Sequence, residues 1–126
     1  MATVKGYTTI EQSKKLTEIL SPESADMGYL WNGTSFCEYP VSNQTIFKRI
    51  ENIPCWSLAA LLDLMPKIYY PVKDHPTYLI LGKPKDKWCA LYWDATGMQD
   101  GEQTLEDNLV DACYEMIICL YKQNLL

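Results

Sequence analysis

Histidine is nearly missing from this 126-residue chain, which has a single one, His75. A lone imidazole leaves little room for His-based acid–base or nucleophilic chemistry, because a base must be oriented by a third group as well as reach its nucleophile. Asp74 is adjacent in sequence, but loop neighbours at i and i+1 do not orient each other, and no Gly-x-Ser-x-Gly elbow occurs. His75 therefore reads as a solvated loop histidine beside a turn proline. No Cys-x-x-Cys, His-x-x-x-His or calcium-loop pattern is present, so no metal site is expected. Gly97-Met-Gln-Asp-Gly101 lacks the lysine and the preceding fingerprint of a phosphate loop, so no cofactor is expected either.

Long apolar runs are also lacking. The longest are broken by Asp63, Pro66 or Glu115, short of the ~20 residues a membrane span requires. No basic segment followed by an apolar stretch and a cleavage site opens the chain, so a cytoplasmic protein is expected. Basic charge is scarce: 11 Lys and Arg stand against 16 Asp and Glu, a net charge of -5. That balance argues against direct nucleic-acid or membrane-surface binding.

What is present suits a globular core. Apolar residues make up 48% of the chain and charged residues 21%, outside the range of disordered segments. One domain, residues 1–126, is expected from the length. The five cysteines sit mostly inside apolar runs and are read as unpaired core residues in a reducing compartment.

The pattern predicts an α+β fold with about three helices around a small, mainly antiparallel sheet. Thr9 and Gln12 form a capping-box signature for a first helix, with Glu11–Lys15 and Lys14–Glu18 at i,i+4 spacing. Ser21-Pro22 ends it and starts a short turn. Asn32-Gly33 between Tyr29-Leu-Trp31 and Thr34-Ser-Phe36 predicts a tight hairpin. Residues 38–51 read as a loop with one short element around Ile46-Phe47.

A central helix is expected from Asn52 to Pro66, with Asn52 as its cap and Pro54 in its first turn. It is apolar almost all round and so should be wrapped by other elements. Ile68–Tyr70, Thr77–Gly82 and Lys87–Trp93 read as strands. Both faces of the last two are apolar, which suggests a sheet covered on both sides by helices. Ala95–Gln103 reads as a loop, and a long amphipathic helix opens near Thr104. The expected core is Trp56, Leu58, Leu61, Leu62, Tyr78, Ile80, Leu91, Leu109, Cys113 and Met116.

Three stretches together resemble a known group: Ala25-Asp-Met27, then Pro54-Cys-Trp-Ser-Leu58 leading into Leu61-Leu62 and Pro66, then Asp111-Ala-Cys-Tyr-Glu-Met116. They are similar to small uncharacterised proteins of phages and integrated mobile elements of gut anaerobic bacteria of the Bacteroides type. The resemblance implies a bacterial cytoplasm and an accessory role, and carries over no functional residue.

Function is open between three classes. The first is a non-enzymatic interaction protein acting on a host or phage protein. From Trp88 through Tyr121 there is no Lys or Arg, and Asp107, Asp111 and Glu115 at i,i+4,i+8 would form an acidic helix ridge with Ile118 beside it. These four residues are the candidate partner-binding face, unless Lys83, Lys85 and Lys87 neutralise the ridge from within. Mimicry of a nucleic-acid backbone is its strongest version. The second class is a small hydrolase or sugar-binding domain using Asp63, Asp94 and the aromatic residues. Trp56, Trp88 and Trp93 are read as packing residues in preference to ligand-stacking ones. The third is a structural subunit of a larger assembly, which a large apolar self-interface would suggest.

Overall fold

The computed structural model describes residues 6–42, 51–72, 75–83, 86–94 and 99–126, with the side chains of 69–75 and 94–103 outside the description. The expected element around Ile46-Phe47 falls outside the described residues. The fold is α+β with antiparallel sheets. The chain partitions into two compact units, Gly6–Leu61 and Leu62–Leu126, each with its own sheet.

In the first unit, α1 (Ile10–Thr17) starts at Thr9, whose hydroxyl accepts the Gln12 N–H while the Gln12 side chain accepts the Thr9 N–H. The reciprocal box satisfies two donors that a helix end leaves unpaired. Lys15 pairs with Glu18 at i,i+3, 3.3 Å, in place of the expected Glu11. A 3-10 turn follows at Pro22–Ser24. Strand β1 (Met27–Tyr29) pairs antiparallel with β2 (Ile53–Cys55), and α1 packs on β2. Tyr29, Ile53 and Cys55 form the core, with Tyr7, Ile10, Met27 and Phe36 packed against it.

A hairpin turn forms at Asn32-Gly33, but its register is shifted from the expected one: the Asn32 N–H donates to Ser35 O, so Gly33 and Thr34 are the central residues and Thr34 does not open the second strand. Trp31 bridges Phe36, and the Asn32 Oδ1 accepts the Thr34 and Ser35 N–H groups, both at 2.9 Å. Gly33 has φ +104°, a backbone conformation that side-chain-bearing residues rarely adopt. The Trp31 and Phe36 rings meet edge-on at 4.9 Å.

The central helix is shorter than expected. Ile53–Cys55 is a strand, and α2 covers only Leu58–Leu64. Strand pairing to β1 takes Pro54 out of helical geometry, and its missing N–H costs nothing in a strand this short. Asn52 is not the cap; it is buried, and its Oδ1 accepts the Trp31 N–H at 2.9 Å. Ser57 caps instead, accepting the Ala60 N–H at 3.2 Å, while Asp26 accepts the Ser57 N–H and hydroxyl. The helix is not wrapped on all sides: Leu61 is buried, Ala59 and Asp63 are exposed, and Leu58 and Leu62 lie between.

The second unit is a four-stranded antiparallel sheet in the order β3 (Ile68–Val72), β4 (His75–Gly82), β5 (Trp88–Asp94), β6 (Gln99–Glu106). Helix α3 (Leu109–Lys122) packs on β5 and β6. Two expectations change here. The loop expected up to Gln103 and the helix turn expected from Thr104 are largely strand β6, which pairs Trp88 with Glu106, Cys89 with Leu105 and Ala90 with Thr104. Its composition is poor in β-formers, and pairing to an apolar neighbour overrides that weak preference. In addition, among the described residues of this unit, helix packs on one face of the sheet, where both were expected to be covered. Ala90 and Tyr92 are buried on the side where the Thr104 hydroxyl donates to Ala112 O of α3 at 2.9 Å. Tyr78 and Ile80, expected in the core, point the other way and are 42% and 38% exposed.

All five cysteines are unbridged, in line with the reading as core residues; Cys55, Cys89 and Cys113 are buried. Among the described residues no helix is long and apolar enough to cross a membrane.

Candidate functional site

Hydroxyl and thiol groups capable of nucleophilic chemistry are concentrated in the first unit, and there they are consumed by structure. Thr8, Ser13 and Cys55 are all 0% exposed. The Thr8 hydroxyl lies 2.8 Å from Ser13 Oγ and accepts the Trp56 N–H at 3.2 Å. The Cys55 thiol donates to Thr8 O at 3.4 Å, and the Tyr29 hydroxyl donates to the same carbonyl at 2.7 Å. Burial pushes the Cys55 thiol up, and burial likewise raises the Tyr29 phenol. A buried thiol kept protonated is neither nucleophile nor ligand. In the second unit burial alone pushes Cys113 up to about 12.

Asp63 is exposed on α2, and Asp94 ends β5 with its side chain outside the description, as is that of His75 at the start of β4. Among the described residues no group of three or more His, Cys, Asp or Glu is arranged to hold a metal ion.

The acidic ridge is rearranged by the true start of the last helix. Asn108 is its N-cap, so Asp107 precedes the helix and only Asp111 and Glu115 share a face of it. Asp107 is drawn away by Lys87, whose Nζ lies 2.6 Å from Asp107 Oδ1. Of the three lysines expected as internal counter-charges, Lys87 does neutralise one acid, and Lys85 lies outside the described residues. Lys83 instead lies over the Trp88 ring, 5.3 Å from its centroid. Ile118 is half-buried and Glu115 exposed.

Glu106, at the end of β6, joins the cluster in place of Asp107. Its carboxyl is held above the usual range, first by burial and then by the charges of Glu115 and Asp111, with Lys87 opposing. A carboxyl that keeps its proton longer in the fold than in the unfolded chain lowers stability as pH rises through and above its ordinary value of 4.5. Glu106→Gln is therefore expected to raise the melting midpoint at about pH 7, with the gain fading toward about pH 4, where the wild-type carboxyl is protonated in both states. Thermal melts of both proteins across that range check it; a gain independent of pH would point to packing instead of charge.

A second surface was not legible as such in the sequence. The cross-strand pairs Ile68–Tyr78, Tyr78–Trp93, Ile80–Leu91 and Cys89–Leu105 put these residues on the sheet face opposite α3. Five of them are large, apolar and open: Ile68 46%, Tyr78 42%, Ile80 38%, Trp93 43% and Leu105 51% exposed. Trp93 is thus not the packing residue expected. Leu91 and Cys89 between them are 7% and 2% exposed, so the strip is closed at its middle and open along both flanks. Tyr78 and Trp93 are directly opposed on the two strands, at one end of this face.

Comparison with known proteins finds no matching family model, no similar curated protein and no similar solved structure.

Proposed function

We propose that this protein is a non-enzymatic binding module whose main contact surface is the open sheet face of the second unit. One observation carries the reading: Ile68, Tyr78, Ile80, Trp93 and Leu105 are exposed around buried Leu91 and Cys89 on one face of a sheet whose other face is packed by α3. At about 200 Å² of surface per large side chain, the five together expose roughly 400–500 Å², and patches of this size on soluble proteins are commonly binding sites. Tyr and Trp are among the residue types that dominate binding energy.

The acidic end of α3 provides a second surface, for a basic partner. Its support is the grouping of Glu106, Asp111 and Glu115, where the charges of Glu115 and Asp111 add to burial in holding the Glu106 carboxyl up. The resemblance to proteins of phages and mobile elements supports a setting in a bacterial cytoplasm, with a host or phage protein as the target.

The test is site-specific photo-crosslinking in cells producing the full chain. A photoreactive residue at Leu105 or Ile68 is expected to give discrete adducts, and the same residue at exposed Glu11 of α1 is expected to give none. Adducts at Glu115 that disappear in high salt, with none at Leu105, would transfer the function to the acidic face. No adduct above the Glu11 control at any of these positions would reject the reading.

A further inference from the structure

We infer that Asn32 is a spontaneous modification site, converted in the folded protein to aspartate and isoaspartate by attack of the Gly33 backbone nitrogen on its side-chain amide. The site lies in the first unit and is independent of what binds the sheet of the second.

Every participant sits in the turn from Asn32 to Ser35, and all four residues are exposed. The nucleophile is the Gly33 nitrogen. Among the described residues its N–H has no hydrogen-bond acceptor, so no such bond has to break before the proton leaves to solvent. Gly33 has no side chain to hinder the approach, and nothing lies within 4 Å of where a Cβ would stand. The electrophile is Asn32 Cγ. Its Oδ1 accepts the Thr34 N–H at 2.9 Å, the Ser35 N–H at 2.9 Å and the Thr34 hydroxyl at 3.0 Å. Three donors on one carbonyl oxygen draw electron density from the carbon and stabilise the charge that the oxygen gains during attack. The leaving nitrogen, Nδ2, lies 3.5 Å from the Ser35 hydroxyl, a group able to pass it a proton.

Attack closes a cyclic imide. The Gly33 N–Asn32 Cγ bond forms, the Cγ–Nδ2 bond breaks, the Gly33 proton goes to water or hydroxide, and Nδ2 takes up a proton and leaves as ammonia. Because both reacting groups belong to adjacent residues, no bimolecular encounter is needed for this step. Water then opens the ring. Cleavage at Cγ restores the main chain with an aspartate side chain, and cleavage at the Asn32 main-chain carbonyl routes the chain through Cγ as isoaspartate. Water is the co-reactant, and nothing is oxidised or reduced.

The two products act differently on the hairpin. Either adds one negative charge to a chain whose net charge is -5. Aspartate keeps the turn, because its carboxylate accepts the same N–H groups more strongly than an amide does. Isoaspartate inserts a methylene into the main chain between two closures, Asn32 N–H to Ser35 O at 3.0 Å and Cys37 N–H to Leu30 O at 2.9 Å. The added length displaces the edge-on contact of Trp31 with Phe36, a ring that packs on the core of Tyr29, Ile53 and Cys55.

The test is incubation of the full chain at neutral and mildly alkaline pH, with peptide mapping by mass spectrometry and enzymatic methylation of isoaspartate as readouts. Asn32 is expected to convert at least tenfold faster than Asn52, Asn108 or Asn124, each followed by a residue with a bulky side chain. The rate is expected to rise with pH, because hydroxide removes the Gly33 proton. Conversion at Asn32 no faster than at those three positions overturns the inference. The same measurement in urea gives the rate of the unfolded chain. A folded rate within tenfold of it supports reaction in the fold, and a folded rate further below it means that the turn protects Asn32, which also overturns the inference. Gly33→Ala, whose methyl crowds the attacking nitrogen, is expected to slow the reaction at least tenfold, and an unchanged rate in a folded variant counts against the mechanism. Should that variant fail to fold, the wild-type comparison of folded and unfolded chain still decides.

Discussion

Replacing Trp56 with alanine is expected to cost ~3–5 kcal/mol of unfolding free energy. Trp56 is 0% exposed, so truncation removes an indole from full burial and leaves a void that close-packed surroundings fill only in part. It also strips the Ser24 hydroxyl of the indole N–H that donates to it at 3.0 Å. The backbone of Trp56 is tied in as well, through its N–H to Thr8 Oγ1 and its carbonyl to the Thr8 N–H. Those bonds do not depend on the side chain, so the loss isolates packing from backbone order. Domains of this size are stable by only ~5–15 kcal/mol, so the change takes a large fraction of the total. Urea unfolding followed by far-UV circular dichroism measures it. A variant with the wild-type midpoint would mean that the indole is not packed as described.

Ile117→Ala is expected to cost ~2–5 kcal/mol, and Ile117→Val only ~0.5–1.5 kcal/mol. Ile117 is 0% exposed on the face of α3 that also carries Cys113, Met116 and Leu120, the stripe that seats the helix on β5 and β6. The graded pair separates a cavity effect, which scales with the atoms removed, from a change in helix propensity, which is slight and runs the other way for alanine. Ile118→Ala, one position on and half-buried, serves as the control with a smaller loss. Equal losses at 117 and 118 in the same denaturation experiment would show that α3 is rotated from the orientation described.

The two predictions differ in how far the sequence alone supports them. The face of α3 was legible because apolar residues recur at helical spacing from Leu109 to Leu120 with acids opposite, and a 3.6-residue period has one geometric solution. The capping box at Thr9 and the presence of a turn at Asn32-Gly33, though not its register, were legible for a similar reason: each is local, decided by bonds within four residues. Strands β4 and β5 were legible as strands from their β-branched and aromatic content, and with these elements the α+β class followed.

What only the tertiary structure decided is long-range. Pro54 suits the first turn of a helix as well as a short strand, and pairing of Ile53–Cys55 with Met27–Tyr29, across more than twenty residues of chain, selects the strand. Thr104 with Asp107 three residues on carries the start signals of a helix, and the ladder to Trp88–Ala90 turns Thr104-Leu-Glu106 into the end of β6. That shift moves Asp107 off the helix, brings Glu106 beside Asp111 and Glu115, and sends Leu105 to the open face of the sheet. Which face of an all-apolar hairpin is covered cannot be read from its period, because both faces qualify. Helix α3 chose the side of Ala90, Tyr92 and Thr104, and so left Tyr78, Ile80 and Trp93 exposed. Local signals determine elements within one turn or hairpin; the surface offered to a partner depends on which faces the rest of the chain has already used.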